Sequence, residues 1–236
     1  MNKTITFITY KELSIIIVPV ILVIFILYYW NLEWKNYMYA FSRMLIQLLL
    51  IGYCLSYIFL AENSLIILLI LFTMVFLASW IALGIVHENK LKLLKSAFIA
   101  IIVGGGFNLV LVTQFILKLD PWYMPRYMIP LAGMIFASSM NGISLAGERL
   151  KAEIERDVNY DNARGIALKA ALIPITNSLF AVGLVSLPGM MTGQILSGIS
   201  PLIAVRYQIM VMCMLFSAVG LSSYLFLILI QSKIKL

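Results

Sequence analysis

The sequence predicts an all-α integral membrane protein: about seven transmembrane helices, one Pro/Gly-broken segment and a cytoplasmic coupling helix. Three observations carry this. The 236 residues are 63% hydrophobic, with 17 basic and 10 acidic side chains and a mean hydropathy of +1.02, more apolar surface than a soluble fold of this size can hide. The charges fall between charge-free runs long enough to cross a bilayer, for which about 20 apolar residues suffice. One run, residues 170–205, has 36 residues and is broken by Pro, Gly, Thr and Gln where a plain anchor would carry Leu.

The expected spans are residues 13–32, 44–61, 63–86, 96–117, 127–147, the long 170–205 region, and 207–232. The first follows Lys3 and Lys11 and resembles a signal peptide. It runs about 20 residues, however, and leads into Trp30-Asn31-Leu32-Glu33-Trp34 rather than a small-residue cleavage site, so it is read as a retained span. Glu62 and Asn63 separate the second and third spans, which makes these two a tight hairpin. Irregular backbone at membrane depth survives only when buried in protein or lining a wet cavity. The centre of the sixth region, Ser186-Leu187-Pro188-Gly189-Met190-Met191-Thr192-Gly193-Gln194-Ile195-Leu196-Ser197-Gly198-Ile199-Ser200-Pro201, is therefore placed in the working part of a transporter.

Seven spans put the termini on opposite sides. With the N-terminus outside and the C-terminus cytoplasmic, the inner segments hold Lys35, Arg43, Lys90, Lys92, Lys95, Arg149, Lys151, Arg156, Arg164, Lys169, Lys233 and Lys235. These are 12 of the 17 basic residues, which the positive-inside rule favours. Tyr28, Tyr29, Trp30 and Trp34, and Trp122 with Tyr123, suit interfacial belts. The expectation is a multi-pass protein of the plasma membrane, residues 1–236 forming a single permease domain. The basic residues stand near span ends, so the net charge of +7 does not point to nucleic acid. Cys54 and Cys213 sit in apolar runs, which argues against a disulfide framework.

Residues 148–169 carry ten charges and join the fifth and sixth spans. Arg149/Glu153 and Lys151/Glu155 are spaced i, i+4, which supports a helix. Ala163, Ala167, Ala170 and Ala171 continue a helix-favouring pattern. Two readings stand side by side: a solvated connector, or a helix that docks on a cytoplasmic partner. Arg149, Glu153, Glu155, Arg156, Asp157 and Arg164 would make the docking contacts.

Hydrolytic chemistry needs a positioned nucleophile and base. The one histidine, His87, stands at a loop edge beside Glu88, Asp120 is next to Pro121, and no Gly-x-Ser-x-Gly or His-Glu-x-x-His motif is present. Gly104-Gly105-Gly106 lacks a following Lys-Ser/Thr and reads as close helix packing rather than a phosphate loop. The chain thus has no nucleotide site of its own. Polar residues inside spans face a partner or a pathway: Arg43 and Gln47, Asn141 near Ser138 and Ser139, Asn177, Gln194, Arg206 and Gln208. Each amide also fits plain interhelical hydrogen bonding. Met190 and Met191 offer soft sulfur, but a divalent first-row ion more usually takes carboxylate or imidazole, and the spans supply neither.

Several stretches are similar to one family. They are Pro130-Leu131-Ala132-Gly133-Met134-Ile135 with Asn141 and Ile143-Ser144-Leu145; Ala171-Leu172-Ile173-Pro174-Ile175-Thr176-Asn177-Ser178; Val182-Gly183-Leu184-Val185-Ser186-Leu187-Pro188-Gly189-Met190-Met191-Thr192-Gly193-Gln194; Gly198, Pro201 and Ala204-Val205-Arg206-Tyr207-Gln208; and Arg43 through Gln47 to Gly52. Together they resemble the FetB-type permeases, the group of bacterial iron-export permeases and plant aluminium-sensitivity proteins, over most of the chain from about residue 40. The resemblance implies the membrane subunit of an ABC transporter: two permease chains with two cytoplasmic ATPase subunits, exporting iron or a related metal. No cofactor is then bound by this chain, and ATP with Mg²⁺ sits on the ATPase partner. The connector departs from the family at Asn159-Tyr160, where a Gly-Ala pair is expected. On this reading Arg43, Gln47, Asn141, Asn177, Pro188, Gly189, Met190, Met191, Thr192, Gln194, Arg206 and Gln208 are the pathway candidates. An ATP-independent carrier or channel is the alternative; it needs an ion-coupling carboxylate, and Glu62 at the hairpin tip is the nearest acid. A scaffold for another enzyme would leave the Pro-Gly-Met-Met block unexplained.

Overall fold

The computed structural model describes residues 8–59, 63–84 and 90–232. The expected hairpin tip at Glu62, the pair His87 and Glu88, and the terminal lysines Lys3, Lys233 and Lys235 lie outside the described residues. The chain divides into two units, residues 1–60 and 61–236.

The first unit holds α1 (Tyr10–Ile15), α2 (Ile17–Tyr29) and α3 (Trp34–Ile58). A capping box starts it: the Glu12 amide donates to Thr9 Oγ1 at 3.3 Å, and Glu12 Oε2 accepts from the Thr9 amide at 2.7 Å, so two orphan donors are satisfied reciprocally. Asn31 ends α2 with φ +55°. The Leu32 amide reaches back to Leu27 O and the Asn31 amide to Tyr28 O, the Schellman pattern that Gly or Asn permits. Across this turn Tyr28 and Trp34 pack edge to face, ring centroids 5.8 Å apart. Lys35 and Arg43, expected in a connecting segment, instead lie on α3. No Gly or Pro interrupts Trp34–Arg43, and the long stems of Lys and Arg are good helix formers. Neither α1 nor α2 buries a residue, and their apolar surface suits a lipid solvent.

In the second unit, Asn63 caps α4 (Ser64–Ala82), its side chain accepting from the Leu65 amide at 2.9 Å. The next span, Lys90–Ile116, is not a uniform helix. It runs through α5 (Lys90–Ala100), a π-helical segment (Ile101–Gly105), α6 (Gly106–Val110) and a second π-helical segment (Leu111–Ile116). Then follow α7 (Pro125–Ile154), α8 (Tyr160–Ala181), α9 (Gly189–Leu196) and α10 (Pro201–Ile230).

Among the described residues, six helices are long and apolar enough to cross a membrane: Tyr10–Tyr29, Trp34–Leu55, Ser64–Ala82, Lys90–Ile116, Pro125–Ile154 and Pro201–Ile230. The 170–205 run is not one of them. It is shared by the end of α8, a turn, α9 and the start of α10. The 22 residues of α8 reach about 33 Å, but Asp161, Arg164 and Lys169 occupy the first half. Arg206, expected between two spans, sits inside α10, because Pro201 at the first helical position starts that helix earlier than the charge would suggest.

At the centre of this unit stands α10, against α7, α8, α9 and the 90–116 span, while α7 also packs on α4 and α8. Small residues set the spacing. Ala97, Ala100, Ala132, Ala146, Ala163, Ala167, Ala204 and Ala218 are buried, and small side chains let backbones approach where lipid supplies no hydrophobic drive between helices. A Cβ on Gly104 would stand 2.6 Å from Ser222 Oγ and 2.7 Å from its backbone nitrogen; one on Gly142 would stand 2.7 Å from Ser223 Oγ. The triple glycine therefore works as a packing surface at Gly104. Hydroxyls tie the same layer: Ser222 Oγ donates to Ser139 Oγ at 3.0 Å, Ser139 Oγ to the Ala218 carbonyl at 3.4 Å, and Ser217 Oγ to Asn108 Oδ1. Asn108 Nδ2 in turn donates to the Gly104 carbonyl at 2.7 Å.

Candidate functional site

The broken segment turns at two glycines of positive φ, Gly183 before α9 and Gly198 after it. After Ala181, Val182 is extended (φ −64°, ψ 129°) and Gly183 has φ +85°. The Leu184 amide closes on the Ala181 carbonyl at 3.3 Å. This is a type II turn, whose third position needs positive φ and hence Gly. It leaves Leu184 and Val185 91% and 85% exposed. Pro188, extended at φ −60°, then opens α9, and Thr192 Oγ1 donates to the Leu187 and Pro188 carbonyls at 3.3 and 3.2 Å. The Thr192 hydroxyl is thus spent on the helix start.

Two cavities form where this segment meets the helix pack. One, of about 350 Å³, lies among Met134 of α7, Ile175 and Ser178 of α8, Ser186, Pro188, Gly189 and Met190 around the start of α9, and Gln208, Val211, Met212 and Leu215 of α10. The other, of about 330 Å³, is lined by Leu179, Gly183, Met191, Val205, Ile209 and Cys213. Val182, Gln208 and Met212 border both. Helical spacing explains the convergence: 208, 211, 212 and 215 recur at i, i+3, i+4 and i+7, one face of α10. Gln208 is 5% exposed, and its carbonyl oxygen is buried without a hydrogen-bond partner. Such an orphan costs about 1–3 kcal/mol if it stays unpaired, and the adjoining cavities leave room for a partner.

Of the expected pathway residues, the structure gathers Pro188, Gly189, Met190, Met191 and Gln208 at these cavities. Gln194, half-buried on α9, also has an unpartnered carbonyl oxygen. Asn141, Asn177 and Arg206 are exposed on α7, α8 and α10, and Arg43 and Gln47 are exposed one turn apart on α3. Sequence reasoning missed Met134 and Met212. Only the i, i+4 relation of Met212 to Gln208 pointed to it.

The polar stretch is divided between two helices. It occupies the last turns of α7, a corner at residues 155–159, and the first half of α8. Arg149 Nη2 stands 2.6 Å from Glu153 Oε1 without hydrogen-bond alignment, and Arg156 Nη1 stands 3.6 Å from the same oxygen. Glu153 is buried, so the two guanidiniums supply the compensation that a buried carboxylate needs. Lys151 and Glu155 pair at 3.7 Å, Arg164 and Asp161 at 2.9 Å. Asp157 adopts φ +61°. With the Val158 amide on Glu153 O and the Asp157 amide on Ile154 O, it closes α7 by a second Schellman motif. Asn159 caps α8, accepting from the Asn162 amide at 2.9 Å. The Tyr160 hydroxyl donates to the Leu227 carbonyl of α10, and burial pushes its pKa up to about 12. The Asn-Tyr pair that departs from the resembled family is thus a helix cap and an interhelical latch.

A profile of the family described as "Uncharacterised protein family (UPF0014)" matches residues 10–164 and 159–234. The chain is 36% identical to the "Probable iron export permease protein FetB" of Escherichia coli (strain K12), covering 80% of this chain and 77% of that one. It is 34% identical to "Protein ALUMINUM SENSITIVE 3" of Arabidopsis thaliana, covering 88% and 80%, and 33% identical to "UPF0014 membrane protein STAR2" of Oryza sativa subsp. japonica, covering 80% and 70%. No solved structure matches. By profile and by identity over most of its length, the chain belongs to the UPF0014 family of multi-pass membrane proteins.

Proposed function

We propose that this chain is the permease subunit of an ABC transporter that exports iron or a related metal ion, with ATP and Mg²⁺ held by separate cytoplasmic ATPase subunits. Two permease chains would make one transporter, in the plasma membrane, with the N-terminus outside as the basic residues favour. The observation that carries this is the buried, unpartnered Gln208 carbonyl between two cavities where α7, α8, α9 and α10 meet. Polar groups kept at such cost inside spans belong to a route. The metal is supported by the relative named a probable iron export permease.

The corner at 155–159 would take the ATPase contact. Tyr160 fastens the start of α8 to Leu227, and the 19 helical steps from Leu227 back to Gln208 make a rod of about 28 Å. ATP binding shifts access only by contacting one state better than the other, and this rod connects the contact to the cavities. The test is to purify the tagged chain from its own host. Co-purifying ATPase activity with a soluble partner, lost when Arg156→Glu and Arg164→Glu are combined, is expected. A single inactive band from membranes that express the partner would overturn the reading in favour of an ATP-independent carrier.

A further inference from the structure

We propose that the paired cavities beside Gln208 form a site for a soft monovalent cation of the Cu(I) or Ag(I) type, held by methionine sulfur; this rests on the permease reading above and chooses, from its iron or related metal ion, a related metal rather than iron. Met134, Met190 and Met212 border the first cavity. Met191, Met212 and Cys213 border the second. Four of the chain's 13 methionines and one of its two cysteines therefore line the cavities beside one buried amide.

Methionine is a common gap-filler in cores, but a gap-filler closes its gap. Here the methionines stand around cavities of about 350 and 330 Å³, and the donors arrive from separate elements: Met134 from α7, Met190 and Met191 from α9, Met212 from α10. The type II turn at Gly183 is what returns α9 to that position. The Gln208 carbonyl, without a partner inside the chain, adds an oxygen that a cation would satisfy.

Charge decides the class of ion. Among the described residues no Asp, Glu, His, Lys or Arg lines either cavity. Transfer of an uncompensated charge into a low-dielectric site is already costly for one unit, and the Born cost grows as the square of the charge. A bare ferrous or ferric ion would also lack the carboxylate and imidazole that such ions prefer, whereas thioether and thiol donors select Cu(I). A monovalent ion in neutral sulfur meets both conditions.

The experiment titrates the purified transporter, with whatever ATPase co-purifies, with Ag(I), Cu(I) under reductant, Fe(II) and an Fe(III)–citrate chelate. The comparison is the triple variant Met134→Leu/Met190→Leu/Met212→Leu. The expected result is Cu(I) and Ag(I) binding at least about tenfold tighter than Fe(II), with a sulfur shell in X-ray absorption at the copper edge. The triple variant should lose about tenfold or more in affinity, about 1.4 kcal/mol, at an unchanged melting temperature. If the triple variant does not fold, Met190→Leu alone, on the half-exposed α9, must reduce the sulfur shell. A nitrogen- and oxygen-only shell, Cu(I) affinity indifferent to the leucines, or preference for Fe(II) or the chelate would each overturn the proposal. ATPase stimulated by the chelate without Cu(I) binding sinks this site and leaves the permease standing. Methionine-dependent Cu(I) binding in a chain without any ATPase does the reverse.

Discussion

Between Ser217 and Ser223, α10 meets its neighbours almost at backbone distance, whereas between Gln208 and Met212 the same helix borders two cavities. In the first region Gly104 and Gly142 give way to α10, and Ser139, Ser217, Ser222 and Asn108 bond across the layer. In the second, a glutamine carbonyl waits unpaired among sulfurs. Both regions are polar patches inside apolar spans, so polarity alone does not separate packing from pathway. Room beside the open group does: the unpartnered Ser223 Oγ is pressed against Gly142 in the tight layer, where nothing else fits, while the unpartnered Gln208 carbonyl borders two cavities that can take an occupant.

The contrast can be broken most forcefully at Gly104. Gly104→Val puts a branched side chain where even a Cβ collides with the Ser222 backbone, and should cost about 3 kcal/mol, the upper end of the usual range for overpacking. Purified protein with an unchanged melting temperature would show that this layer does not hold the unit. Tyr160→Phe removes the bond to Leu227 and should cost about 1 kcal/mol. The tyrosine's pKa is raised from 10.0 to about 12 in the fold. Its contribution is therefore complete below pH 10 and fades as pH rises toward 12. The variant should lack that alkaline decline in a pH series of melting temperatures. Asp157→Gly relieves a left-handed residue at the α7 corner and should gain about 0.5–1 kcal/mol, read in the same melting assay; a loss would mean that the carboxylate is needed there. Gln208→Leu removes the orphan carbonyl, so it should not lower the melting temperature and should gain up to about 1 kcal/mol, yet on the proposed route it should reduce metal export in cells. Normal export at normal expression would return Gln208 to the packing class and erase the contrast.

Much of this was legible in the residues, and the failures have physical causes. Charge-free runs locate most spans because lipid admits few charges, and the i, i+4 pairs on α7 do form. The same rule placed the start of α3 too late, since Lys35 and Arg43 do not interrupt a helix. The break of residues 170–205 was legible from its Pro and Gly residues, but not the place of its first turn, because the turn at Gly183 changes direction without any charge. The triple glycine was readable as packing, though not which glycine meets which serine. The end of α7 was hidden because Asp157, not glycine, takes the left-handed position. Met134 was invisible among 13 methionines and Met212 was marked only by its i, i+4 relation to Gln208, since only the folded chain brings α7, α9 and α10 to one place.

The two π-helical segments of the 90–116 span give this membrane protein an unusual genetic handle. A π turn holds one residue more than an α turn requires. Deleting a single codon within Ile101–Gly105 would remove that residue and let the segment close as α, while everything after it keeps roughly its present face, because the wide turn had already absorbed the extra residue. The same deletion in the regular helix Lys90–Ala100 would instead rotate everything after it by about 100° and swing Asn108 off Ser217. The π segment is thus a place where the span tolerates a change of length without a change of facing. Cross-linking between cysteines placed at 108 and 217 would read it directly: retained after the first deletion, lost after the second.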